Sequence, residues 1–283
     1  MRWSIAPVGA VFVALVVGGL MVRHLCLTVQ YDGSGFHGFQ VQNQGVRTVQ
    51  GELEKALETV MGESVRVTGA GRTDAGVHAL GQVVSFWSRG TVPTERLPLA
   101  LNSLLPADVV VTDAKDVGSS FDARRSKSFK TYRYLLDLGR YPNPITRHYA
   151  LHYPHRLDLE KIREGIAALP GEHDFAGFAA TGSTAGQGAR GTVRFMRQAQ
   201  CDYLPPGPLS MPGDDQRLLA FTFSADGFLY KMVRLLVGTL LEVGSGRRPP
   251  GDVAALLQGG RAVLAVPAHG LCLLGVEYEE FPA

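Results

Sequence analysis

Cysteine is scarce, with only Cys26, Cys201 and Cys272 among 283 residues. An odd, widely spaced set excludes a disulfide framework and a paired-thiol zinc site. It fits a reducing compartment, so a cytoplasmic location is expected. No two histidines stand at helical metal-ligand spacing with a supporting carboxylate, so no metal is expected. Net charge is also nearly absent: 28 basic against 26 acidic residues leave +2. That excludes a chain that is basic all over, and a nucleic-acid surface would have to come from local clusters. Such clusters occur at Arg124, Arg125, Lys127, Lys130 and Arg133, at Arg190, Arg194 and Arg197, and at Arg247 and Arg248. Each reads equally well as solvated surface charge. Long apolar runs are missing except at residues 5–22, which carry no charge between Arg2 and Arg23. Taken alone, that run reads as a signal peptide or a short membrane anchor.

What is present is the patterning of an α+β chain. Leu25, Leu27, Val29 and Tyr31 alternate with polar residues, as in a half-buried strand. Thr48 can cap a helix to residue 61, with Val49, Leu53, Ala56, Leu57 and Val60 on one face and Gly62 as its stop. Strands are expected at Val65 and Val67, at 82–87 and at 108–114, with a short helix over 94–104 weakened by Pro98. The second half repeats the order. It has a strand at 129–137, a helix over 158–169 capped by Asp158, and strands at 192–203 and 218–224. A helix over 228–243, apolar nearly all round, is followed by a short helix at 252–258 and a strand at 271–278. Residues 204–215, rich in Pro and Gly, read as a surface loop. The expected fold is two ferredoxin-like βαββαβ halves, residues 23–122 and 123–283, with their antiparallel sheets side by side and a cleft between them. Residues 1–22 form an apolar extension.

Three stretches concentrate reactive side chains. Residues 69–86 read GAGRTDAGVHALGQVVSF. Small neighbours (Thr73, Ala75, Gly76) leave the Asp74 carboxylate reachable, and Arg72 can hold it ionised or grip a phosphate. The competing reading is a glycine-rich turn with a capping aspartate. The spacing fits neither a dinucleotide-binding loop nor a P-loop. Residues 130–134, KTYRY, put Tyr132 and Tyr134 on one strand face and Thr131 and Arg133 on the other. A tyrosine facing a cleft offers a ring for a base to stack on, although Tyr134 reads better as core. In residues 228–234, FLYKMVR, Arg234 lies in an otherwise apolar helix. Unless it is a surface arginine at a helix end, it needs a carboxylate partner.

Residues 70–78, AGRTDAGVH, resemble without a break the signature of the tRNA pseudouridine synthases of the A type. Further segments match in order: YDGSGFHGFQ, with Phe39 where tryptophan is usual; FDAR, with Asp122 where histidine is usual; KTYRY, MVR and HGLCL. The resemblance spans about residues 25–278. It implies isomerisation of uridine to pseudouridine at positions 38, 39 and 40 of the tRNA anticodon stem-loop, by a homodimer and with no cofactor. It implies that Asp74 is the nucleophile, that Arg234 pairs with it across the cleft, and that Tyr132 lies against the target base. Arg72, Thr73 and His78 would contact substrate, His78 being as readily structural. Chains of this family begin near Met21, so residues 1–20 read as an upstream over-extension, and no membrane association is expected unless that segment is genuine. The rival reading is a non-catalytic RNA-binding or RNA-folding protein on the same scaffold.

Overall fold

The structure is a computed structural model that describes residues 15–17, 20–42, 45–180, 191–205 and 217–279. The apolar run at the N-terminus enters as a hairpin, because β1 (Leu15–Val17) pairs antiparallel with the start of β2 (Leu20–Tyr31). The rest of that run lies outside the described residues. Among the described residues no helix is long and apolar enough to cross a membrane. Further along β2, Leu25, Leu27 and Val29 are fully buried, as their alternation requires.

α1 (Val49–Met61) is closed at both ends as expected. The Thr48 hydroxyl accepts from the Gly51 N–H, and Gly62 takes the left-handed conformation at φ +70°. The strand expected at Val65 and Val67 forms slightly later, as β3 (Thr68–Gly69). The reason is local: Glu54 of α1 accepts the Val67 N–H and Gln50 donates to its carbonyl. Side chains of α1 therefore satisfy the backbone that a strand partner would otherwise bond. β4 (His78–Ser88) follows, then α2 (Leu97–Asn102), shorter than expected, with Pro98 in its first turn where a missing N–H costs nothing. β5 (Val109–Asp116), β6 (Ser128–Asp137) and β7 (Leu151–His152) come next. α3 (Leu159–Ile166) is capped by Asp158, and β8 (Gly171–Asp174), β9 (Val193–Tyr203) and β10 (Leu218–Ala225) lead to α4 (Met232–Gly244). α5 (Asp252–Gln258) and β11 (Leu271–Tyr278) close the chain. Most of the expected loop at 204–215 lies outside the described residues.

Among the described residues the strands form one eleven-stranded sheet in the order β1-β2-β4-β11-β6-β10-β9-β8, with β3 on β4, β5 on β2 and β7 on β6. Buried residues of β2, β6 and β10 join the apolar positions of α1, α3 and α4 in one core. The β4–β11 join is parallel and brief, pairing His78 with Cys272 and Ala79 with Leu273. β2 occupies one edge of β4 from Ala79 to Ser88. β3, at Val84 and Ser85, and β11, at His78 and Ala79, therefore share the other edge. Residues 70–77 turn in the fork between them.

Candidate active site

The loop in that fork is pinned from several sides. Ala70 N–H donates to the Val83 carbonyl at 2.8 Å, and the fully buried Gln82 amide donates to the Gly71 carbonyl at 3.0 Å. The Thr73 hydroxyl meets the Tyr31 hydroxyl at 2.8 Å, and the Thr73 carbonyl accepts from Phe39 N–H at 3.1 Å. Gly38 makes that approach possible: at φ +95°, a Cβ there would stand 2.8 Å from the Thr73 carbonyl oxygen. Gly76, at φ +78°, completes the turn as Val77 N–H returns to the Asp74 carbonyl at 3.1 Å.

Asp74 projects from this pinned loop with its side chain 23% exposed, open enough to be reached. Arg234, from the first turn of α4, pairs with it, Nη1 to Oδ2 at 3.1 Å. The guanidinium is itself aimed by a 2.7 Å bond from Nε to the Val266 carbonyl. The pair joins the loop between β3 and β4 to α4 and gives Arg234 the carboxylate partner that its place in an apolar helix called for.

Tyr132 is buried on the same face of β6 as Tyr134, and its ring meets Phe228 edge-on at 5.0 Å. Its hydroxyl would lie 3.9 Å from a Cβ on Gly71, beside the loop that carries Asp74. Burial first, then the nearby Tyr31, Asp74 and Cys272, push the phenol above its ordinary range. Tyr134 is core, as expected, its hydroxyl donating to the Pro267 carbonyl at 2.9 Å. Lys130 lies beside Gly71 as well, its ammonium bonded to Ser128 Oγ at 3.1 Å, and burial lowers its pKa.

Of the expected substrate contacts, Arg72 is exposed at the mouth of the site. Thr73 and His78 are not available: both are buried and bonded inward. The Thr73 hydroxyl is taken by Tyr31. His78 Nδ1 accepts the Gly33 N–H at 3.0 Å and lies 3.1 Å from the Asp32 carboxylate, while Nε2 faces the carbonyls of His148 (2.9 Å) and His269 (3.1 Å). Neither ring nitrogen is left for a phosphate. Sequence reading missed Gln82 and Tyr31 as supports of the loop. Gln82, a lone amide inside an apolar strand, was the available signal, because a buried amide must find partners. Among the described residues no cluster of three or more His, Cys, Asp or Glu could hold a metal ion.

A reachable carboxylate paired with an arginine, faced by a buried tyrosine and edged by basic side chains, defines a carboxylate-centred site suited to covalent or acid–base chemistry on an anionic substrate. A family model described as tRNA pseudouridine synthase matches residues 27–124 and 166–279. The chain is 43% identical over 264 residues to the tRNA pseudouridine synthase A of Streptococcus equi subsp. equi, covering 92% of this chain and all of that protein. It is 44% identical over 265 residues to that of Streptococcus suis, with the same coverage. With that of Bacillus licheniformis it shares 42% over 257 residues, 89% of this chain and 98% of the relative. The chain belongs to the tRNA pseudouridine synthase family, whose matched segments include Asp74 and Arg234.

Proposed function

We propose that the protein isomerises uridine to pseudouridine at positions 38, 39 and 40 of the tRNA anticodon stem-loop, with Asp74 as its nucleophile. The observation that carries this reading is the Asp74–Arg234 ion pair at 3.1 Å in a fork also faced by Tyr132. The reaction breaks the N1–C1′ bond, turns the base and joins C5 to C1′. The C5 proton is lost and N1 gains one, so nothing is oxidised or added. Attack at C1′, attack at C6 and deprotonation to a glycal all start from a charged carboxylate within reach of an extruded nucleoside. Extrusion costs about a few kcal/mol. Arg72 would help hold that nucleotide, by stacking or by phosphate contact, and Tyr132 would pack on the base.

The same reading takes the chain as two βαββαβ halves, with the site in a cleft between them. The strand orders β5-β2-β4-β3 and β11-β6-β10-β9 support it, since both run fourth, first, third, second within their halves once the short β7 and β8 are set aside. It also takes the protein as a cytoplasmic homodimer engaging one tRNA with both subunits. Light scattering should then return twice the 30.5 kDa chain mass, and a monomer at working concentration counts against it.

The test is incubation with unmodified tRNA and site-resolved mapping of pseudouridine, wild type beside Asp74→Asn. Wild type should modify the anticodon stem-loop, and the variant should bind tRNA normally and leave it unmodified. Substantial pseudouridine from the variant removes Asp74 as nucleophile. Tight binding without product from wild type favours the non-catalytic RNA-binding reading.

A further inference from the structure

The segment that carries FDAR is docked beside the signature loop by a small core of its own. Phe121 and Ala123 pack with Ala70, Val83 and Tyr278, all nearly or fully buried. Both backbone groups of Ala123 are fixed: its N–H donates to Ser85 Oγ at 3.2 Å, and its carbonyl accepts the Tyr278 hydroxyl at 2.6 Å. Asp122, which departs from the usual histidine, turns its carboxylate back on the chain, accepting the N–H groups of Arg124 (2.8 Å) and Arg125 (3.0 Å). The position of Arg124 is thus set by buried anchors and a capping carboxylate. Arg124 emerges exposed one residue beyond Ala123, and Arg72 emerges exposed two residues beyond Ala70, on which that segment packs.

Neither guanidinium is in ion-pair contact with a carboxylate among the described residues. This sets them apart from Arg197, held by Glu277, and Arg248, held by Glu242 and Asp252. The Asp122 carboxylate offsets the repulsion between the two like charges only in part, and an anion between them relieves the rest. Partial burial and the neighbouring Arg72 charge both pull the Arg124 pKa down, in keeping with that crowding. Two planar forks carried on adjoining segments suit the oxygens of one phosphodiester.

We propose that Arg72 and Arg124 together clamp one backbone phosphate adjoining the uridine that enters the Asp74 site, Arg124 being a phosphate-binding residue in its own right. The proposal rests on the RNA substrate given above. The clamp fixes the nucleotide's backbone while the base turns, and it positions the RNA without reading its sequence.

The experiment uses stem-loop RNAs carrying a neutral methylphosphonate on the 5′ or the 3′ side of the target uridine, with wild type and Arg124→Ala. Binding and turnover are measured separately. Arg124→Ala should leave the denaturation midpoint unchanged, because the side chain is exposed. It should lower kcat/KM on natural RNA about ten- to a hundredfold. It should also flatten the salt dependence of binding by about 0.7–0.9 in log–log slope, the share of one phosphate. One of the two neutral linkages should weaken wild-type binding to a similar degree and weaken the variant no further. Losses that multiply at both linkages, or a variant with wild-type binding and kcat/KM, overturn the clamp. A wild type that binds but forms no pseudouridine overturns the reaction instead and leaves the clamp to be judged on binding.

Discussion

Tyr132 faces the Asp74 loop as a neutral phenol, since burial above all, with Tyr31 and Asp74 nearby, raises its pKa further above an already high reference value. A neutral phenol is a poor base. In the proposed reaction it would take the C5 proton only by passing on its own in the same step, its hydroxyl then serving as a relay and its ring as a platform. Tyr132→Phe keeps the ring and its edge contact with Phe228. It should therefore bind RNA as wild type does, with kcat lowered about 10²-fold or more. The wild-type rate should show no limb from this phenol below about pH 10. Wild-type kcat in the variant reduces the hydroxyl to packing. At this scale the pairing of Asp74 with Arg234 and the place of Tyr132 beside their loop were legible because each had a chemical need visible in the string: a caged carboxylate, a charge in an apolar helix, a tyrosine at strand alternation. The inward turn of Thr73, and which of its two readings His78 takes, were not legible because a loop sequence does not say which way a polar side chain turns. That depended on Tyr31, Gly33 and His269, distant in sequence and close in the fold.

Elements were legible where one face is buried and the ends carry caps, as in β2, α1 and β6. β8 was not, because neither of its faces is fully buried and GEHD has no apolar alternation to show. The helix expected from residue 228 starts at Met232, since Lys231 takes the left-handed region at φ +59° and stops it from extending backward. Phe228 is thereby freed to pack on Tyr132. Between elements, β6 and β10 are tied at one end by Asp137, 2% exposed, which accepts from Gly139 N–H (3.0 Å), Asn143 N–H (3.1 Å) and Arg217 Nη2 (3.0 Å). Burial alone would raise its pKa; Arg217 and the backbone donors outweigh burial and hold it below the ordinary value. A carboxylate depressed in the folded state contributes fully above its unfolded pKa of about 3.9, and the contribution disappears as pH falls through the folded value. The denaturation midpoint should therefore drop steeply below about pH 4. Asp137→Asn should flatten part of that drop, while costing about 1–3 kcal/mol at neutral pH. Equal acid sensitivity in the two proteins would assign the acid transition to other carboxylates.

Across the whole molecule, the sheet is continuous but narrow at its middle. The parallel register of β4 with β11 is brief, and side chains reinforce it: Arg234 with Asp74, the Tyr278 hydroxyl on Ala123, the Tyr149 hydroxyl on Asp32, and His78. No local pattern announces such a join, because His78 and the His269 carbonyl it faces are 191 residues apart. His78 satisfies Gly33 on one side of the seam and the carbonyls of His148 and His269 on the other, so its removal leaves a buried donor and two acceptors unpaired around a cavity. His78→Ala should cost about 2–4 kcal/mol, read as a lower denaturant midpoint. Because His78 sits at the end of the loop that carries Asp74, kcat should fall as well. The salt slope of RNA binding should stay at the wild-type value, since no phosphate contact is lost. The opposite result, wild-type stability with a flatter salt slope, would mean that His78 leaves its buried partners to meet the RNA, and the seam would then have to be held by the remaining contacts.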